Sequence, residues 1–303
     1  MELSRDFYEN RKLENLVENQ TSYTLNNAAL HIFETHEQAE RVLLQFDKPV
    51  LASMLKGKKI MHLRDQQSFN FLPGESLILP PDELMCIDFP EAQSTNPTQC
   101  LAMAISEEKI DKVIESMNEL MPKVDGDEWA LIDYNFHFTN DVGIYQILQR
   151  LLFLFTENHP SKDMFVDNML EELIIRILQT NSRKIYTEQS FNLSSNNRLA
   201  YVIEYIRSNL HNHLSVKGLS KKACMSESNF YRVFKNELGI SPTDFINNER
   251  IKLAVSLLQN PNKTIKEIYQ ECGFESRSYF NRVFKRRKKV APGDYQSRFN
   301  VKL

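Results

Sequence analysis

The chain is poor in most of the features that mark membrane proteins and enzymes. In 303 residues no apolar run approaches the ~20 needed to span a bilayer. The opening Met1-Glu-Leu-Ser-Arg-Asp6 does not read as an export leader. There are only four cysteines, Cys86, Cys100, Cys224 and Cys272, none at C-x-x-C spacing. They are expected to be reduced, buried thiols of a cytosolic protein, Cys224 and Cys272 falling on core positions of two helix pairs. No H-E-x-x-H, no phosphate-binding glycine loop and no nucleophile elbow occurs. Nor is there the aromatic-studded sheet motif of RNA readers. Tryptophan occurs once, at Trp129.

What is present is unevenly spread. Residues 198–303 hold 20 Lys and Arg against 9 Asp and Glu, whereas residues 1–197 hold 17 against 31. A basic half joined to an acidic half points to a nucleic-acid partner for the basic half. That half also repeats itself. Ser226-Glu-Ser-Asn-Phe-Tyr-Arg-Val-Phe-Lys235 returns as Ser276-Arg-Ser-Tyr-Phe-Asn-Arg-Val-Phe-Lys285, identical at seven of ten positions with an offset of 50. Each copy has a serine N-cap and an i, i+3, i+4 apolar stripe, Phe230, Val233 and Phe234 or Phe280, Val283 and Phe284. Each is preceded by a short helical stretch and a tight turn. The outer faces carry Ser228, Tyr231, Arg232 and Lys235, then Ser278, Asn281, Arg282 and Lys285. Alone, either copy could be an amphipathic hairpin with a solvated face; two with the same outward Arg and Lys favour a pair of helix-turn-helix motifs, at about 216–238 and 264–288.

These residues resemble the C-terminal DNA-binding domain of AraC/XylS-type transcription regulators, from about Arg198 to Arg298. The signature includes Gly239-Ile-Ser-Pro242, Arg250, Ala254, Leu257-Leu258, Ile265, Ile268, Cys272-Gly273-Phe274, Pro292 and Tyr295. Three positions depart from it: Ser220 and Tyr269 replace the usual alanine, and Lys289 replaces the glycine that closes the last helix, implying a longer or differently capped end. Residues 242–259 read as one rod of about 27 Å, close to the ~34 Å between successive major-groove faces. The resemblance implies an activator that works with RNA polymerase on double-stranded DNA. It assigns Ser228, Tyr231, Arg232, Arg277, Ser278, Asn281 and Arg282 to base edges, and Lys235, Lys285 and Arg286 to phosphates. The second motif is expected to matter less, because of Tyr269 and Lys289.

The N-terminal half reads differently. Residues 1–20 look helical. Short strands follow between turn-formers at 29–33, 42–46, 50–55, 60–63, 69–72, 76–79, 84–89 and 100–105, the pattern of a sandwich or small barrel. Phe71-Leu-Pro-Gly-Glu-Ser-Leu-Ile-Leu-Pro80 resembles a cupin hairpin. A metal-dependent cupin enzyme fused to a reader is therefore the alternative function. Its ligands would have to come from His31, His36, Glu37 and His62, which form no H-x-H, and Asp88 and Glu91 alone do not make a site. His211 and His213 do form an H-x-H but close a helix, where the dipole suits them. Two helices after Ile105, with stripes Ile144 to Phe155 and Phe165 to Leu178, pack either on their own barrel or on a second copy. The expected architecture is α+β. A cupin-like barrel with a helical hairpin (1–181) is joined through a linker (182–197) to an all-α reader with two helix-turn-helix motifs (198–303). No cofactor, metal or catalytic residue is expected. A small organic effector and a homodimer are the partners such a sensor half implies.

Overall fold

The computed structural model describes residues 1, 3–64, 67–124, 126–131, 136–193, 198–260 and 262–300. The chain divides into two compact units, one of Met1–Pro122 with Glu128–Asn181, the other of Ser182–Leu303 with the short segment Lys123–Asp127.

The first unit opens on a short helix, α1 (Arg5–Asn10), rather than the twenty-residue helix its polar start suggests. Asn19 explains the difference: its buried side chain accepts the backbone amides of Glu14 and Asn15 and donates to the Lys12 carbonyl, so these groups have partners without a helix. The chain is already strand by β1 (Asn19–Thr24). Then come β2 (Ala28–Thr35), β3 (Ala39–Leu44), β4 (Val50–Lys56), β5 (Lys59–His62), β6 (Phe69–Phe71), β7 (Glu75–Leu79), β8 (Met85–Phe89), β9 (Thr98–Ile105), α2 (Glu107–Leu120), β10 (Phe136–Thr139), α3 (Val142–Thr156) and α4 (Lys162–Leu193). All pairings are antiparallel.

The strands do not close into the expected barrel. They form an open six-stranded sheet, β1-β2-β9-β4-β7-β10, and a four-stranded sheet, β3-β8-β5-β6. Side-chain alternation shows that the larger sheet is packed on both faces. Cys100, Ala102 and Ala104 of β9, with Val50, Ala52, Met54, Leu77 and Leu79, meet Phe71, Ile87 and Phe89 between the sheets. On the opposite face Leu101, Met103 and Ile105, with Leu30, Ile32, Leu51 and Ile78, meet the stripes of α2, α3 and α4. A sheet buried on both faces needs continuous apolar strands, and every residue of β9 is buried. The two helical stripes thus pack on their own sheet. Helix α4 has no glycine or proline and runs on through Leu193, so the stretch expected as a linker is helical over 182–193, while 194–197 lie outside the described residues.

The second unit contains α5 (Arg198–Ser208), α6 (Val216–Lys222), α7 (Glu227–Leu238), α8 (Pro242–Leu257), α9 (Ile265–Glu271), α10 (Arg277–Lys288) and α11 (Pro292–Asn300). Its apolar side chains gather in two clusters. One joins α5, α6, α7 and Phe245 and Ile246 of α8; the other joins Ile251, Ala254 and Leu258 to α9 and α10. Helix α8 is therefore shared: its first half is core for one motif and its second half for the other. The segment at 123–127 is a component of this unit that its sequence does not announce. Glu237, 1% exposed, accepts the Val124 amide at 2.7 Å, and Arg198 donates to the Val124 carbonyl at 3.0 Å.

Candidate nucleic-acid interface

Helices α7 and α10 are built alike. Ser226 accepts the Asn229 amide and Ser276 the Tyr279 amide, each side chain satisfying one orphan donor of a first turn. Both helices are 12 residues long. Phe230, Phe234, Phe280 and Phe284 are fully buried, and Val233 and Val283 nearly so. The stripe predicted from spacing is the stripe observed. The turns before them are also equivalent: Met225 donates to the Ser220 carbonyl and Phe274 to the Tyr269 carbonyl, at 3.0 and 2.9 Å. Each turn needs one left-handed residue, Cys224 (φ 54°) in the first and Gly273 (φ 76°) in the second. Glycine is required only in the second, where a Cβ would stand 2.1 Å from the Leu210 carbonyl oxygen.

This placement corrects the cysteine expectation. Cys224 is exposed at the turn, Ala223 fills the core position beside it, and Cys86 is half-buried; only Cys100 and Cys272 are buried. Burial pushes the Cys272 thiol up to about 12 and raises that of Cys100. Under a brief maleimide pulse on the native chain, Cys224 is expected to label first and Cys86 more slowly, with Cys100 and Cys272 labelling only after denaturation. Mass mapping of the labelled peptides checks this, and a native adduct on Cys272 would contradict it.

The departures from the family pattern are absorbed locally. The buried Ser220 hydroxyl donates to the Lys217 carbonyl. Tyr269, half-buried at the edge of the second cluster, lies against Phe280 at a centroid distance of 6.3 Å. Lys289 neither lengthens α10 nor changes its cap. It takes the left-handed conformation itself (φ 64°), as Gly239 (φ 71°) does after α7, and its amide donates to the Lys285 carbonyl. A non-glycine residue there costs about 1–2 kcal/mol. Lys289→Gly is therefore expected to stabilise the second motif by about 1 kcal/mol, read as a higher denaturant midpoint; an unchanged or lower midpoint would contradict the strain.

The outward residues fall where the spacing predicts. Ser228, Arg232, Arg277, Ser278, Arg282, Lys235, Lys285 and Arg286 are exposed, and Tyr231 is 43% exposed. The equivalent arginines are held by different means: Arg232 donates to Asn229 Oδ1 at 2.9 Å, while the Arg282 guanidinium lies 5.2 Å from the Tyr279 ring centroid. Asn281 is only half-exposed, and its Oδ1 is buried without a hydrogen-bond partner. Bidentate reading of adenine uses that oxygen as acceptor, so Asn281 must swing outward to serve. Arg286 and Arg287 face Asp244 of α8, at 3.6 and 3.4 Å. Lys288 and Lys289 complete an exposed basic run.

The histidines and carboxylates named as possible metal ligands in the first unit do not gather into one group. His31 bonds Ser22 and Gln20, and His62 bonds Asp88 at 2.7 Å. His36 is buried and Glu37 exposed, and Glu91 faces Lys58. Among the described residues no group of three His, Cys, Asp or Glu side chains is arranged to hold a metal ion. His213 pairs with Glu275 beyond the end of α5 rather than closing that helix. No described helix is long and apolar enough to cross a membrane.

Two capped helices with the same hydroxyl, guanidinium and ammonium face, each set on its own short helix and both on one rod, define a double helix-turn-helix module in the second unit, while the first unit is a β-sandwich with helices. The profile of the AraC-type transcriptional regulator N-terminus matches residues 27–185, more than half of the chain, and that of a helix-turn-helix domain matches 219–298. The chain belongs to the AraC-type transcriptional regulators. It is 30% identical over 165 residues to the probable transcriptional regulator LumQ of Photobacterium leiognathi, covering 54% of this chain and 63% of that protein. It is 24% identical over 145 residues to the lactose operon transcription activator of Staphylococcus xylosus (48% and 51%). To the arabinose operon regulatory protein of Escherichia coli it is 25% identical over 136 residues (45% and 44%). The chain thus spans about half the length of the curated relatives it matches.

Proposed function

We propose that the chain is a sequence-specific DNA-binding transcription regulator and an activator, reading two adjacent major-groove segments with α7 and α10. The observation that carries this is the pairing of two identically capped helices, with Arg232 and Arg282 at equivalent outward positions, on one shared rod. The surplus of Lys and Arg over Asp and Glu in residues 198–303 supports it. So do the names of the lactose and arabinose operon relatives. On this reading Ser228, Tyr231, Arg232, Arg277, Ser278 and Arg282 meet base edges, with Asn281 once it has swung out. Lys235, Lys285 and Arg286 meet phosphates. The sandwich unit regulates, by taking a small organic effector or by pairing two copies, and RNA polymerase is the partner at the promoter. An effector acts only through unequal affinity for two states of the chain.

The test is selection on randomised duplexes with the full chain and two variants. Arg232→Ala is expected to lose about 1–3 kcal/mol on the selected site and to relax preference at one base position. Arg282→Ala should do the same at a different position, with thermal melts unchanged in both. If neither variant alters base preference anywhere, this face does not read the major groove.

A further inference from the structure

Resting on the two-segment reading above, we propose that Asp244 and Asn247 are positioning residues that fix the pitch between the two reading helices, and so the spacing of the two DNA segments the protein accepts.

Helix α8 alone does not fix that pitch. Its first half belongs to the first cluster through Phe245 and Ile246, and its second half to the second cluster through Ile251, Ala254 and Leu258. A rod shared in this way leaves the second motif free to lean or roll about the rod unless something ties it back to the rod's first half. Such ties are present. Asp244, Asn247, Ile251, Ala254 and Leu258 recur at spacings of three and four, one stripe of a helix. The stripe is apolar at its far end, where it is core for the second motif, and polar at its near end. From that polar end the Asn247 side chain, 4% exposed, donates through Nδ2 to the Tyr279 hydroxyl at 3.0 Å. Asp244 faces Arg286 and Arg287. Tyr279, Arg286 and Arg287 all lie on α10, so the second reading helix is braced along its length against the part of α8 built into the first motif. A further contact limits movement about this brace. Arg250, itself 9% exposed, donates to the carbonyls of Leu210 and Asn212. Gly273, without a Cβ, lets the second turn close on the same Leu210 carbonyl.

The physical consequence concerns spacing. Inserting one base pair between two major-groove segments moves the second by about 3.4 Å. It also rotates it by roughly 34°, one tenth of a helical turn. A braced pair of helices cannot follow both changes, whereas a pair joined by an unbraced rod can follow part of them. The two braces also differ. The Asn247–Tyr279 bond is part-buried, and its loss leaves the buried Asn247 side chain without that partner. The Asp244 ion pairs are exposed and screened by salt.

The experiment uses the full chain and a set of duplexes in which the two selected segments are held constant while the gap is changed by one base pair in either direction. Asn247→Leu/Tyr279→Phe replaces both partners by apolar groups and keeps the ring on which Arg282 stacks. Asp244→Asn removes the charge facing the two arginines and keeps a side-chain acceptor at the start of α8, where Asp244 now accepts from Ser241. The wild type is expected to lose about tenfold or more in affinity for each base-pair change of the gap, the size of a mismatch penalty. Asn247→Leu/Tyr279→Phe should lose less than about threefold, with base preference within each segment unchanged. Asp244→Asn should sit between them, and should approach the wild type as salt rises and screens the wild-type ion pairs. If the second segment contributes affinity but all three proteins share one spacing profile, the two-segment reading survives and the brace assignment is wrong. If the second segment adds nothing to the wild type at any gap, the reading itself fails and the brace with it. Should the double variant melt at a lower temperature than the wild type, Asp244→Asn decides alone: a flattened profile supports the brace and an unchanged one overturns it.

Discussion

Phe234→Ala is expected to destabilise the DNA-reading unit by about 3–5 kcal/mol, the range for a phenylalanine truncated inside a packed core. Phe234 has no solvent exposure. Its ring meets Phe230 edge-on at 5.5 Å and Phe245 of α8 at 5.6 Å, interplanar angles 61° and 76°. Beyond their buried area such pairs contribute about 0.5–1.5 kcal/mol each. The cavity would open at the point where the recognition helix meets the shared rod, and the surrounding backbone is held by caps that limit collapse. Phe284 occupies the equivalent place, packed on Phe280 and Tyr295, so Phe284→Ala should cost a similar amount. Chemical denaturation of the full chain, followed by a probe in residues 198–303, reads both values. A loss below about 1 kcal/mol for Phe234→Ala would mean that the residue is not the centre of that core.

That prediction was available from spacing alone, which says where legibility was high. A repeat of ten residues, with a cap at the start and aromatics at i and i+4, leaves one way to bury the aromatics. The same repeat placed the outward Arg and Lys, because a helix that buries one stripe must show the other. Legibility failed where a position's meaning depends on a neighbour distant in sequence. Nothing in Asn-Gln-Thr-Ser-Tyr-Thr announces β1, which exists because β2 offers an edge to pair with. The length of α1 was misjudged because Asn19, several residues downstream, takes the amides a helix would have used. The strands form two sheets rather than a closed barrel, and α2, α3 and α4 cover one face of the larger; strand spacing carries no record of that cover. Cys224 was expected on a core position like Cys272, but the first motif is one residue shorter at the turn. The offset there is 49, which aligns Cys224 with Gly273 and Ala223 with Cys272. Neither departure in the second motif changes its shape: Tyr269 stays at the cluster edge, and Lys289 takes the glycine conformation at the cost of local strain. In the interface, exposure of the arginines was legible, but the half-burial of Asn281 and the hold of Asp244 on Arg286 and Arg287 were not.

Binding of duplex DNA by the full chain is expected to weaken by about two to three powers of ten between 50 and 200 mM salt. Each phosphate neutralised releases condensed counterions and contributes about −0.9 to the slope of log affinity against log salt. Exposed cations on and beside the reading helices include Lys235, Lys285, Arg286, Arg287, Lys288 and Lys289, apart from Arg232, Arg277 and Arg282, which are proposed to meet bases. If about five of these groups meet phosphates, the slope is near −4.5, which over a fourfold change of salt gives that loss. The individual cations should not count equally. Lys285 has no ion pair among the described residues, so Lys285→Gln should make the slope shallower by about 1 while leaving base preference unchanged. Arg286 already faces Asp244, and Arg286→Gln should change the slope by less, because part of its charge is satisfied within the protein before DNA arrives. Arg232→Ala should act in the opposite manner, altering base preference with a smaller change in slope, since its proposed partner is guanine rather than phosphate. Fluorescence anisotropy across a salt series, on the selected duplex and a scrambled one, separates these cases. A slope near zero on both duplexes would show that the basic surplus of residues 198–303 does not contact a phosphate backbone. A steep slope with equal affinity for the two duplexes would show that it contacts phosphates without reading sequence.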